Sequence, residues 1–125
     1  MALQTPLCAQ VELVVTEADT AIAFGSGDVP VLATPRLVAL CERAAADALR
    51  AHLERGQTSV GFRTEITHLV PVLIGSRVTA VAAFERSDGK RIAFNVSVTD
   101  RFGLVAAGKV VRVVVDPAVF MEKAR

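Results

Sequence analysis

Three polar side chains of this chain fall where the surrounding pattern calls for apolar ones: Thr34, Glu42 and His68. Together they offer a hydroxyl, a carboxylate and an imidazole. These are the parts of an acyl-transfer site, in which one group attacks or orients water while another moves a proton. Each also has a plainer reading. Thr34 precedes Pro35, and such a pair reads as a helix N-cap followed by the first helical residue. A lone histidine closing a strand commonly serves as a hydrogen-bonded structural residue. Glu42 resists that kind of explanation, because an unpaired carboxylate against apolar neighbours is costly. Thr34 and Glu42 are eight positions apart, roughly 12 Å along a helix axis. His68 would have to bridge between them.

The elements that must position these residues follow from periodicity. Thr34 to about Leu53 reads as one long helix, rich in leucine and alanine and ended by Gly56. At about 100° per residue, Leu37, Cys41, Ala44, Ala45 and Ala48 share the core face, with Arg36, Arg43, Arg50 and Asp47 opposite. Glu42 falls among Val38, Ala46, Leu49 and Leu53, away from the arginines. Residues 58–70 alternate as a strand, with Thr58, Val60, Phe62, Thr64, Ile66 and His68 expected on the face that meets the helix. An extended segment over 1–16 precedes the helix. Between them, 17–33 reads as a turn-rich linker with one short apolar turn at Ala21, Ile22 and Phe24, a candidate rim over the helix start. Strands are expected over 76–86, from Arg91 to Thr99, and over 104–115. Ser87-Asp88-Gly89-Lys90 marks a hairpin between the first two of these. The order predicts a single α+β domain over 1–125: an antiparallel sheet of about five strands wrapped around one long helix.

Composition narrows the function classes. The chain has 125 residues, 52% hydrophobic and 22% charged, which predicts an ordered domain with a sizeable core. A net charge of +1 with neither Trp nor Tyr argues against nucleic-acid binding. No apolar run approaches a membrane span, and no secretory leader pattern opens the chain. With two histidines and no C-x-x-C spacing, no metal site is expected. Cys8 and Cys41 read as small buried hydrophobes, suited to a reducing cytoplasm. His52, near the helix C-terminus, reads as structural. Gly25-Ser26-Gly27 lacks the Gly-Lys-Ser/Thr of a phosphate loop. The strand 104–115 is apolar in both phases, so a monomer would leave an exposed apolar patch.

The element order resembles the hotdog fold. The stretches Ala33-Thr34, Leu40-Cys41-Glu42-Arg43-Ala44, Gly56-Gln57-Thr58-Ser59-Val60-Gly61, Ile66-Thr67-His68 and Gly108 through Val115 resemble the fluoroacetyl-CoA thioesterase family. That resemblance places the family's catalytic threonine, glutamate and histidine on Thr34, Glu42 and His68. It places the pocket glycine on Gly61 and the acyl-pocket arginine on Arg112. It implies an acyl-CoA or other carrier thioester as substrate, coenzyme A as part of that substrate with no separate cofactor, and a homodimer with sites built from both chains. A non-catalytic acyl-CoA-binding protein and a hydratase or dehydratase using His68 and Glu42 are the competing readings. The family's lid before the helix is bulky and apolar. Here Gly25 and Asp28 stand in that stretch, so the resemblance implies thioester hydrolysis without implying a fluorinated acyl group.

Overall fold

The computed structural model describes residues 7–125; the expected extension over 1–6 lies outside the described residues. The elements run β1 (Cys8–Val14), a single 3-10 turn (Glu17–Asp19), α1 (Ala21–Phe24), α2 (Thr34–Arg50), β2 (Thr58–His68), β3 (Arg77–Asp88), β4 (Arg91–Asp100), β5 (Gly103–Val115) and α3 (Pro117–Met121). The sheet order is β1-β3-β4-β5-β2 and every pairing is antiparallel. The five-stranded α+β architecture expected from the pattern is the one present.

The core lies between α2 and one face of the sheet. Leu37, Leu40, Cys41, Ala44, Ala45, Ala48 and Leu49 are buried on α2. Facing them, Val78, Ala80 and Ala82 of β3 and Ile92, Phe94, Val96 and Val98 of β4 are all at most 4% exposed. The small residues on both sides bring helix and sheet close, while Phe94 and the leucines fill the remaining volume. Truncating Leu40, 2% exposed, would cost about 2–5 kcal/mol. The helix stops three residues before the expected Leu53, because its last turn tightens: the N–H groups of Ala51 and His52 both donate to the Leu49 carbonyl. Among the described residues no helix is long and apolar enough to cross a membrane.

Two expectations about faces fail, each for a physical reason. Cys8 is exposed. On β1 the inward positions are Ala9, Val11 and Leu13, which pair with the core residues Ala82, Ala80 and Val78; Cys8 belongs to the opposite phase. Cys41 is buried as expected. On β2 the alternation is broken by a β-bulge at Phe62: Gly61 pairs with Arg112 and Arg63 with Val111, leaving Phe62 as the extra residue. Cross-strand partners share a face, and the helix-facing residues of β5 include Arg112 and Val114. Before the bulge it is therefore Ser59 and Gly61 that face the helix, not Thr58, Val60 and Phe62. After it, Thr64, Ile66 and His68 do. Phe62 lies outside, 54% exposed, with the Arg91 guanidinium stacked 4.5 Å from its ring centroid.

Candidate active site

Thr34 is the first residue of α2, and its hydroxyl lies 2.9 Å from His68 Nδ1. The N-cap is Ala33, and no side chain caps this helix end. The capping role expected of Thr34 is thus not taken; its hydroxyl is committed to the histidine instead. With Nδ1 unprotonated, Thr34 donates to it, and the oxygen gains electron density for attack or for holding water. Among the described residues the other ring nitrogen, Nε2, is buried without a hydrogen-bond partner.

The cleft beside this pair has a volume of about 320 Å³ and is lined by Ser26, Gly27, Val29, Thr34, His68, Leu69 and Val70, among others. Its rim is the linker 17–33, which does lie over the helix start. Asp19 anchors that linker: its Oδ2 accepts from the Thr16 N–H and hydroxyl at 2.8 Å each, and its Oδ1 accepts from Arg36 Nε at 2.9 Å. Its backbone carbonyl accepts the Ala33 N–H at 2.8 Å. Burial raises the Asp19 pKa, but the hydrogen bonds from Thr16 and Arg36 outweigh it and hold the carboxyl below the usual range. Asp19 therefore ties the linker to the helix turn that carries Thr34. Gly25, at φ +67°, ends α1 in the left-handed region; Ile22 and Phe24 of α1 are exposed, as is Val29 at the cleft.

Glu42, Gly61 and Arg112 form a second cluster. Arg112 Nη1 lies 3.8 Å from Glu42 Oε2, with the two side chains 10% and 38% exposed. The valine-rich strand does bury this arginine. Burial lowers the guanidinium's pKa, and the Glu42 charge offsets that only in part. Arg112 also donates from Nε to Ser59 Oγ and from Nη2 to the Ser59 carbonyl, each at 2.9 Å. A Cβ at Gly61 would come 2.8 Å from Glu42 Oε2. The absence of a side chain at Gly61 leaves the carboxylate its present position, and pairing before the bulge at Phe62 places Gly61 on that face.

The structure thus joins Thr34 to His68 and Glu42 to Gly61 and Arg112. Among the described residues no hydrogen bond links Glu42 to His68. Cys41, beside Glu42, is no alternative nucleophile: burial and then the Glu42 charge push its thiol up to about 11. Asp19 and Ser59 were missed in the sequence. Thr16-Glu17-Ala18-Asp19 does carry a capping-box-like signal that could have found Asp19; a serine on a strand carries none.

Residues 15–118 match the family model described as fluoroacetyl-CoA-specific thioesterase. The fluoroacetyl-CoA thioesterase of Streptantibioticus cattleyicolor is 32% identical over 95 residues, covering 76% of this chain and 68% of that protein. The solved structure of the fluoroacetyl-CoA thioesterase FlK superposes with a TM-score of 0.89 at 26% identity, covering 100% of this chain and 97% of that one. Variants of that enzyme have been solved with fluoroacetate and CoA and with acetyl-CoA. A hot-dog-like protein from Thermanaerovibrio acidaminovorans shares the fold at a TM-score of 0.88 and 24% identity, covering 98% of this chain and 94% of that one. The helix wrapped by five antiparallel strands is the hotdog fold, and the chain belongs to the fluoroacetyl-CoA-specific thioesterase family.

Proposed function

We propose that this chain hydrolyses small or medium acyl thioesters of coenzyme A, with Thr34, Glu42 and His68 as its catalytic residues and Gly61 and Arg112 against the acyl group. The observation that carries the reading is the 2.9 Å contact between Thr34 Oγ1 and His68 Nδ1 at the wall of an open cleft. In hydrolysis the thioester C–S bond breaks, a C–O bond forms, and the departing sulfur takes a proton. His68 takes the proton from Thr34 or from the water that Thr34 holds, and returns it to the sulfur. Glu42 supplies negative charge and a proton acceptor beside the acyl group, with Arg112 balancing it. The linker's Ser26 and Gly27 put little side-chain bulk at the cleft, which favours acyl groups larger than fluoroacetyl.

Because the two clusters are separate within one chain, we take the working unit to be a homodimer. β2 is an edge strand, and Thr64, on its helix-facing side, is exposed. Antiparallel pairing of β2 with its copy would set the His68 end of one chain beside the Gly61 half of the other. Light scattering at micromolar concentration checks this; a monomer that turns over normally overturns it.

A thiol-release assay with acetyl-, medium- and long-chain acyl-CoA tests the activity. Turnover of the short or medium substrates is expected. Binding of the same thioesters without release of thiol would instead make this an acyl-CoA-binding protein, and water addition to an enoyl-CoA would make it a hydratase.

A further inference from the structure

Arg112 enters the site with its guanidinium committed unevenly. One residue, Ser59, takes two of its three nitrogens: Nε through the side-chain hydroxyl and Nη2 through the backbone carbonyl. The third, Nη1, faces Glu42 across 3.8 Å, too long for a hydrogen bond. An arginine fork beside a carboxylate ordinarily closes on it with two parallel bonds, the strongest arrangement open to the pair. Here it does not close, although the guanidinium is largely buried and the carboxylate stands beside it. The fork is rigid and planar, so with Nε and Nη2 turned toward Ser59 only one corner can face Glu42. Gly61 completes the geometry, since a Cβ there would come 2.8 Å from Oε2 and press the carboxylate aside.

We propose that Ser59 is a positioning residue, tethering Arg112 so that Glu42 keeps an uncommitted carboxylate in the site. Bidentate pairing would occupy the lone pairs of Glu42 and neutralise it as a proton acceptor. The tether leaves instead a donor, Nη1, and an acceptor, Oε2, side by side and unjoined at 3.8 Å. The kinetic consequence rests on the thioesterase reading of Glu42; the tether itself can be measured without turnover.

The test compares Ser59→Ala, which removes the hydroxyl, with Ser59→Thr, which keeps it. Acetyl-CoA and octanoyl-CoA serve as substrates. Ser59→Ala is expected to lower kcat by about tenfold or more, the scale of a small misplacement in an active site. KM should stay within about twofold, as for a group acting in the transition state. Ser59→Thr should restore the wild-type rate. In parallel, nitrogen-edited NMR follows the Arg112 Nε–H, whose exchange with solvent should quicken by about tenfold or more in Ser59→Ala and not in Ser59→Thr. If Ser59→Ala does not fold, Ser59→Cys carries the same comparison, its sulfur being a weak acceptor of similar size. The proposal is overturned if Ser59→Ala melts lower but keeps its kcat per folded molecule, or if its Arg112 Nε–H stays protected. A wild-type chain without thioesterase activity would sink the functional reading alone, leaving the NMR arm to decide on the tether.

Discussion

Thr34 and His68 meet as hydroxyl and imidazole at the wall of an open cleft, whereas the carboxyl group of Glu42 faces the guanidinium of Arg112, which is almost out of water. The first pair is held by a single hydrogen bond and by the linker that Asp19 ties down. The second is held by the fork of Arg112 on Ser59 and by the absent side chain of Gly61. Under the proposed function the difference suits two tasks, the first of which is moving a proton where substrate and water can enter. A fixed charge is effective only where water does not screen it, and burial of its partner provides that. The same contrast predicts how each half fails: the cleft pair by losing its support, the charged pair by losing its geometry.

The largest effects should come from deleting one member of each pair. Glu42→Gln and His68→Ala are each expected to lower kcat by about 100-fold or more, the usual scale for general acid–base groups. Thiol-release kinetics per folded molecule, with folding checked by circular dichroism, measures this. If the two act on one step, the double variant will be little slower than the worse single one. Full additivity would mean that the halves work independently.

Next in size is Gly61→Ala. Its Cβ would press on Glu42 Oε2, the free end of a flexible side chain, so the fold should tolerate it while the carboxylate moves. A fall in kcat of about tenfold with little change in melting temperature is expected. An unchanged kcat would show that the position of Glu42 does not matter.

Asp19→Asn probes support rather than chemistry. It should cost about 2 kcal/mol at neutral pH, since a buried carboxylate with charged and backbone donors is replaced by a neutral amide. Because the folded carboxyl is held below its unfolded value of about 3.9, its contribution is present above that pH. It is lost as pH falls through the folded value. Denaturant curves should therefore show the gap between wild type and Asp19→Asn shrinking below about pH 4, and a gap that persists there would contradict the assignment.

The smallest expected change is thermal. Thr34 makes no cap bond, so Thr34→Ala should shift stability by less than the ~1 kcal/mol typical of a lost cap, while Thr34→Ser keeps part of the activity. A loss of melting temperature with intact turnover would restore the capping reading.

Much of this was legible in the sequence because it depends on period and residue type. The α2 helix, the hairpin at Gly89 and the strand count follow from alternation and turn chemistry. Glu42 was legible as a carboxylate on an apolar flank, and Arg112 as an arginine among valines. The bulge was not, because Phe62 is itself apolar and continues the alternation through the very residue that breaks it. The capping alternative for Thr34 fails although Thr-Pro satisfies that pattern locally, the N-cap being Ala33. What decides the matter is the linker's anchoring at Ala33, a contact with Asp19 that no local pattern contains. Cys8 was read from residue type when strand phase governed it. The short α3 was passed over although Asp116-Pro117 announces it; the Asp116 side chain accepts from the N–H groups of Ala118 and Val119.

The extra residue at Phe62 makes β2 a strand that counts by odd numbers before it and by even numbers after it. Ser59 and Gly61 owe their place beside Glu42 to the odd count, and His68 owes its place beside Thr34 to the even one. Were the same eleven residues to pair in strict alternation, with no bulge, one of the two sets would go to the opposite surface. An alignment that slides a gap freely along this strand therefore matches the wrong side chains to the site.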